Sequence, residues 1–310
     1  MPRPPAARPL PLFPRWPLWL VTGLVLLGLA TLAARWYVGR RAAGEMIVPA
    51  PADTTTPQSA GVPYAALLLP SGDHTIRAWW VRGRTVDSTR SARPAPSASS
   101  AFAASVAPAV LLFHTNRSSL SQQVGVQQVL YRAGVSSLAF DYSGFGGSGG
   151  SPSPAALRRD ARAAYLAFAD SARTASRRVL LGTSLGAAVL LDAITDLEAG
   201  VDGIVLVGAF ASARQAAVRS GRAPRLLAWL VPDLYDNLAA VRRVTKPLLI
   251  VHSAQDEVFP IADAEQLLAA ARGPKRLLRL DRGAHASYLS TAAEWAPVIA
   301  FIKQGLDSLP

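Results

Sequence analysis

The chain has 310 residues, half of them hydrophobic, with 32 Lys and Arg against 20 Asp and Glu for a formal net charge of +12. That length fits one large domain or two small ones, and the apolar share is enough for a sizeable core. The positive charge is nearly all arginine, scattered rather than gathered into a run interleaved with aromatics, which argues against nucleic acid and for a solvated, membrane-side surface. The absence of cysteine excludes disulfides, thiolate zinc sites and a Cys nucleophile without choosing a compartment.

Residues 1–17 are Pro-rich with Arg3, Arg8 and Arg15 and read as a disordered basic tail. Residues 18–34 carry no charge over about the shortest length that crosses a bilayer. Trp16 and Trp19 stand at one end, Trp36 and Tyr37 at the other, where amphipathic rings prefer the headgroup level. The expectation is a single-pass anchor over 18–38, with a cleaved signal peptide as the alternative because Thr31, Ala33 and Ala34 are small residues suited to cleavage. Arginines flank both ends, leaning slightly toward a cytoplasmic N-terminus and an extracytoplasmic domain.

Residues 39–61, with three prolines and a Thr cluster, read as a linker, and the globular domain is expected over 62–310. Strand-like runs at 64–69 and 75–82 flank Ser71-Gly72-Asp73, a hairpin signal. Residues 85–108 lack an apolar period and read as a disordered insertion. From Ala109 onward, apolar strand runs (109–113, 136–140, 179–181, 203–207, 247–251, 276–280) alternate with helical stretches. The expected fold class is therefore α/β, a mostly parallel central sheet covered by helices on both faces. A mixed segment at 212–237, rich in Leu and Trp, is the candidate for a small helical lid.

The chemistry is concentrated in Gly182-Thr183-Ser184-Leu185-Gly186, which falls where a buried strand turns into a helix. In so tight a turn, side chains two before and two after the serine would collide, so both places need glycine. The serine is thereby held out at a helix N-terminus, where backbone N–H groups favour a developing negative charge. A serine hydroxyl needs a base, and the base needs an orienting group. Of the four histidines, His74 follows the hairpin turn and is expected to be exposed, while His114 and His252 abut strand ends with little reach. His285 lies in a loop after the last strand and is the favoured base. Asp256 is the favoured acid, with Glu257 and Asp281 as rivals. Gly144 to Gly149 also fits the dinucleotide fingerprint, but Ser151-Pro152 interrupts it and Asp160 falls within a helix, so the loop is read as shaping the site.

Four motifs in order, among them His114-Thr115, Asp141-Tyr142-Ser143-Gly144-Phe145-Gly146-Gly147-Ser148 and the Ser184 pentapeptide, make residues 62–306 resemble the α/β-hydrolase superfamily. The membrane-anchored serine hydrolases are the most similar in pattern. The resemblance implies a triad of Ser184, Asp256 and His285, an oxyanion hole from the backbone N–H groups of Leu185 and Asn116, and acyl transfer with no metal or organic cofactor. It departs from the family at Thr115, where a glycine is usual. The expected substrate is an ester, thioester or amide, with an acyl chain as one option. A turnover-free scaffold and an aminopeptidase-like activity are the alternatives, and no feature of the sequence specifies an oligomeric state.

Overall fold

The computed structural model of the chain describes residues 17–84 and 107–309. Nearly all of the expected basic tail at 1–17 and of the expected insertion at 85–108 lies outside those residues. Eight strands form one sheet in the order β1-β2-β4-β3-β5-β6-β7-β8. β1 (Ala65–Ser71) and β2 (His74–Val81) form the hairpin. β1 runs antiparallel to β2 and β2 antiparallel to β4, while every pairing from β4 through β8 is parallel.

The parallel strands are β3 (Ala109–Phe113), β4 (Ser136–Phe140), β5 (Arg178–Thr183), β6 (Gly203–Val207), β7 (Leu248–Ser253) and β8 (Lys275–Leu280). Every residue of β3, β4, β6 and β7 is buried, because helices cover both faces and leave no wet side to alternate with. On one face lie α3 (Pro154–Ser171), α4 (Leu185–Asp192) and α8 (Ile261–Ala270); on the other lie α2 (Val124–Arg132) and α9 (Ala292–Gln304). α4 is buried from Leu185 to Leu191, as an all-apolar helix must be, and the one-turn α5 (Ile194–Leu197) follows it. Its companion α3 starts as its sequence dictates, with Ser153 Oγ accepting from Ala156 N at 3.1 Å and Pro154 in the first turn.

The N-terminal segment differs most from expectation. α1 runs unbroken from Leu18 to Met46, so the first third of the expected linker is helix. The residues that follow it, Ile47 to Pro51, are docked, not free. Ile47 enters the core, Val48 N donates to Asn116 Oδ1 at 2.7 Å, and Arg117 N donates to Val48 O at 3.0 Å. Gly146 N bonds Ala50 O at 2.9 Å, with Pro51 bridging to Gly146. Prolines suppress helix here but are compatible with an extended strap bound at the end of the sheet.

The 212–237 segment holds α6 (Ala213–Arg219) and a 3-10 turn, Arg225–Leu230. Ser212 and Asp236 cap α6 and α7 (Asn237–Val241) by accepting from Gln215 N and Ala239 N. A bidentate pair ties α6 to α8: Arg219 Nη1 and Nη2 reach the buried Asp263 carboxylate at 2.9 and 2.6 Å.

Candidate active site

β5 delivers Ser184 at the corner into α4. Its backbone, φ 52° and ψ −112°, lies in a region that L-residues avoid, the mark of local strain held by its surroundings. The two glycines explain how the corner closes. A Cβ on Gly182 would sit 2.7 Å from Ala187 Cα, and one on Gly186 would sit 2.1 Å from the Phe113 carbonyl oxygen. Both obstacles are backbone, so neither can yield as a flexible side chain would. Ser184 is 7% exposed.

The loops after β7 and β8 bring the other two residues to the serine. Ser184 Oγ lies 2.9 Å from His285 Nε2, and His285 Nδ1 lies 2.8 Å from Asp256 Oδ2. The second contact assigns the proton to Nδ1 and leaves Nε2 to accept from the hydroxyl. Among the histidines the geometry is selective. His114 and His252 are buried, the first bonded to Thr115 O and the second to Phe259 O. His74 differs from expectation: its ring is largely covered, with Nδ1 2.9 Å from Asp73 Oδ1 and Nε2 2.7 Å from the buried Ser143 Oγ. Ser143 in turn donates through N to Asp160 Oδ2 and through Oγ to Asp160 Oδ1, so this chain of polar groups ties the hairpin to the loop after β4 and to α3.

The acids separate in the same way. Asp256 meets the imidazole ring, whereas Glu257 Oε2 accepts the main-chain N–H of His285 at 3.0 Å and so holds the loop instead. Asp281 is exposed at the end of β8. Asp256 Oδ1 also accepts from the N–H groups of Val258 and Phe259 at 2.8 and 2.7 Å, and Oδ2 accepts from Tyr288 Oη at 2.7 Å. Burial pushes this carboxyl up, but the hydrogen bonds from His285, Phe259 and Tyr288 outweigh it and bring the group down to about 2. Tyr288 escaped the sequence reading, since an aromatic residue three positions after a histidine carries no signal of its own. The Phe259 ring meets the His285 ring edge-on at 5.0 Å, which walls the imidazole with hydrocarbon.

Of the two backbone donors, Leu185 is the first residue of α4, so its N–H is one of the helix's unsatisfied leading donors. Asn116 follows β3, and its side chain is turned to the strap, where Oδ1 accepts from Val48. The glycine missing at 115 is not needed for backbone freedom, because the left-handed residue of this turn is Arg117, φ 55°.

The glycine-rich loop wraps the protein's own groups. The space a Cβ would take at Gly146 is filled by Asp141 Oδ2 at 2.0 Å, and at Gly147 by Arg77 Nη1 at 2.3 Å. A carboxylate in that cradle is the wrong charge for a pyrophosphate. Asp141 Oδ1 accepts from Leu120 N at 2.8 Å and faces His114 Nε2 at 3.6 Å. Burial raises the Asp141 carboxyl to about 6 and lowers His114 to about 4. Among the described residues, no cluster of His, Asp and Glu is arranged to hold a metal ion.

Residues 104–241 match a family described as serine aminopeptidase, S33. An uncharacterized protein of Mycobacterium tuberculosis is 34% identical over 171 residues, covering 54% of this chain and 59% of that protein. The chain thus spans about three fifths of the length of the curated relatives it first matches. An uncharacterized membrane protein of Saccharomyces cerevisiae is 24% identical over 253 residues, 80% of this chain and 82% of its own. Among solved structures, the Pyrococcus furiosus esterase Pf2001 superposes with a TM-score of 0.62 at 16% identity, covering 83% of this chain and 95% of the esterase. The parallel sheet with its antiparallel leading hairpin, the strained serine corner and these matches give the chain the α/β-hydrolase fold.

Proposed function

We propose that the protein is a serine hydrolase that cleaves an ester, thioester or amide bond through an acyl-enzyme on Ser184. The observation that carries this reading is the 2.9 Å contact between Ser184 Oγ and His285 Nε2 at a corner with φ 52°. In the first half-reaction the hydroxyl proton passes to Nε2 as Oγ bonds to the acyl carbon. The charge on the carbonyl oxygen is taken up by the N–H groups of Leu185 and Asn116. The carbon–leaving-group bond then breaks, and the leaving group takes the proton from Nε2. Water repeats the sequence in reverse and frees the acid and the serine. Asp256 remains ionised throughout, holding the ring and balancing the imidazolium.

Fluorophosphonate labelling tests this directly. Wild-type protein labels and turns over a short-chain aryl ester, while Ser184→Ala with an unchanged melting temperature does neither. Folded wild-type protein that neither labels nor exceeds the Ser184→Ala rate would establish the scaffold reading instead. The family description favours one further arm, an aminoacyl nitroanilide, because it tests amide cleavage at the same serine.

The same proposal places the enzyme at a membrane, with α1 as a single-pass anchor, the domain extracytoplasmic and an acyl-bearing small molecule as substrate. Support comes from the length and apolarity of α1, whose mean hydropathy reaches 1.6, and from the yeast relative's description as a membrane protein. The 212–237 segment, which leaves β6 beside the site, is the proposed lid.

A further inference from the structure

The 212–237 segment does not fold back on the domain alone. Three contacts fix its course along α1. Arg222 Nε lies 3.9 Å from Glu45 Oε2, Pro232 packs on Gly39 so closely that a Cβ there would fall 2.9 Å from its Cγ, and Arg35 donates to the Trp229 carbonyl. From Glu45 to Arg35 the helix axis advances about 15 Å. The segment therefore descends beside α1 toward its apolar part, and Trp229 arrives level with Arg35, the first charge after the uncharged run at 18–34.

At that level the turn Arg225–Leu230 turns its hydrocarbon outward. Leu226 is 90% exposed, Trp229 54% and Leu227 46%. On α1, Trp36 and Tyr37 are exposed as well, with the Arg40 guanidinium 5.1 Å from the Trp36 ring centre and that of Arg41 5.9 Å from Tyr37. Residues 35–46 and 222–230 together carry Arg35, Arg40, Arg41, Arg222 and Arg225 against the single carboxylate of Glu45. Exposed Leu and Trp bordered by Tyr and arginine match the layered chemistry of a bilayer's headgroup region, and the charge excess matches phosphate.

We infer that the Arg225–Leu230 turn is a second membrane contact, in which Leu226, Leu227 and Trp229 insert into the interfacial layer of an anionic phospholipid bilayer beside α1. This rests on the reading of α1 as a membrane span. It commits to the lipid surface the β6–β7 excursion, which begins just after Gly208 at the end of β6.

Because the chain has no cysteine, single substitutions can be labelled without background. Full-length protein carrying Leu226→Cys, Leu24→Cys or Leu166→Cys is labelled with an environment-sensitive fluorophore and reconstituted into vesicles of phosphatidylcholine and phosphatidylglycerol. Leu166, exposed on α3, is the aqueous control. The expected result is a blue shift at 226 with quenching by a spin label near the headgroup, deep quenching at 24, and a water-like probe at 166. Quenching at 226 should weaken in phosphatidylcholine alone; equal quenching in both would overturn the anionic preference. A water-like probe at 226 with deep quenching at 24 overturns the inference and leaves the span standing. No quenching at 24 removes the span and the inference together. A blue shift at 226 without lipid quenching assigns the patch to a protein surface, such as a second copy of the chain, and also overturns it.

Discussion

Tyr288 donates its phenolic hydrogen to Asp256 Oδ2 at 2.7 Å, the same oxygen that faces His285 Nδ1 at 2.8 Å. The phenol oxygen also accepts from Ser253 N at 3.0 Å, so one side chain braces the acid against the end of β7. Tyr288→Phe removes the brace and keeps the ring. A charged hydrogen bond of this kind contributes about 1.5–3 kcal/mol. The expected outcome is about a tenfold fall in kcat/KM, carried by kcat, with fluorophosphonate labelling slowed but not lost.

The acid side of the stability profile follows from Asp256. Its folded value of about 2 lies below the ordinary 3.8, so folding favours the ionised form. That stabilisation is complete above about pH 4 and disappears as pH falls through about 2, amounting to about 2 kcal/mol. Denaturant titrations at several pH values should show the difference between wild type and Asp256→Asn shrinking across this window. A difference independent of pH there would contradict the assignment.

Gly186→Ala should prevent the serine corner from closing, since its new carbon meets the Phe113 carbonyl at 2.1 Å. Several kcal/mol of destabilisation or outright failure to fold is expected, read by thermal melting. Gly125 in α2 is the control, with nothing within 4 Å of an added carbon. Alanine there should raise stability by about 0.5–1 kcal/mol through helix propensity alone.

Arg219→Met strands the Asp263 carboxylate, which is buried and bonded through two oxygens. Leaving a buried charge unpaired costs about 3–5 kcal/mol. Adding Asp263→Leu should recover much of that loss in a double-mutant cycle. If Arg219→Met alone is neutral by chemical denaturation, the pair does not hold α6 on α8.

Strands β3 and β6 are legible to the residue because neither run holds a polar side chain, and β4, which opens on Ser136 and Ser137, is legible from the apolar Leu138-Ala139-Phe140 that ends it. Ser184 was legible because its glycines encode a local collision. Asp256 and His285 could be nominated because loops after consecutive parallel strands open at the same rim, and the structure puts all three in hydrogen-bond contact. Contacts between distant segments were not legible. Val48 and Asn116 meet across 68 positions, and prolines around Val48 look the same whether the strand is docked or free. The boundary of α1 was missed for a related reason: Ala42 and Ala43 continue a helix, while the prolines that end it begin only at Pro49. His74 was misjudged because the groups that cover it, Ser143 and the loop glycines, come from another part of the chain.

The strap from Ile47 to Pro51 carries a consequence for how the protein can be released from α1. Its Val48 main chain supplies both partners that hold the turn bearing Asn116. A protease cutting between Pro49 and Val62 would therefore leave part of the site's own scaffolding behind with the helix. Under the proposed reading of α1 as an anchor and Ser184 as the nucleophile, release by such a cut should also cost activity, and a soluble domain cut upstream of Ile47 should keep it.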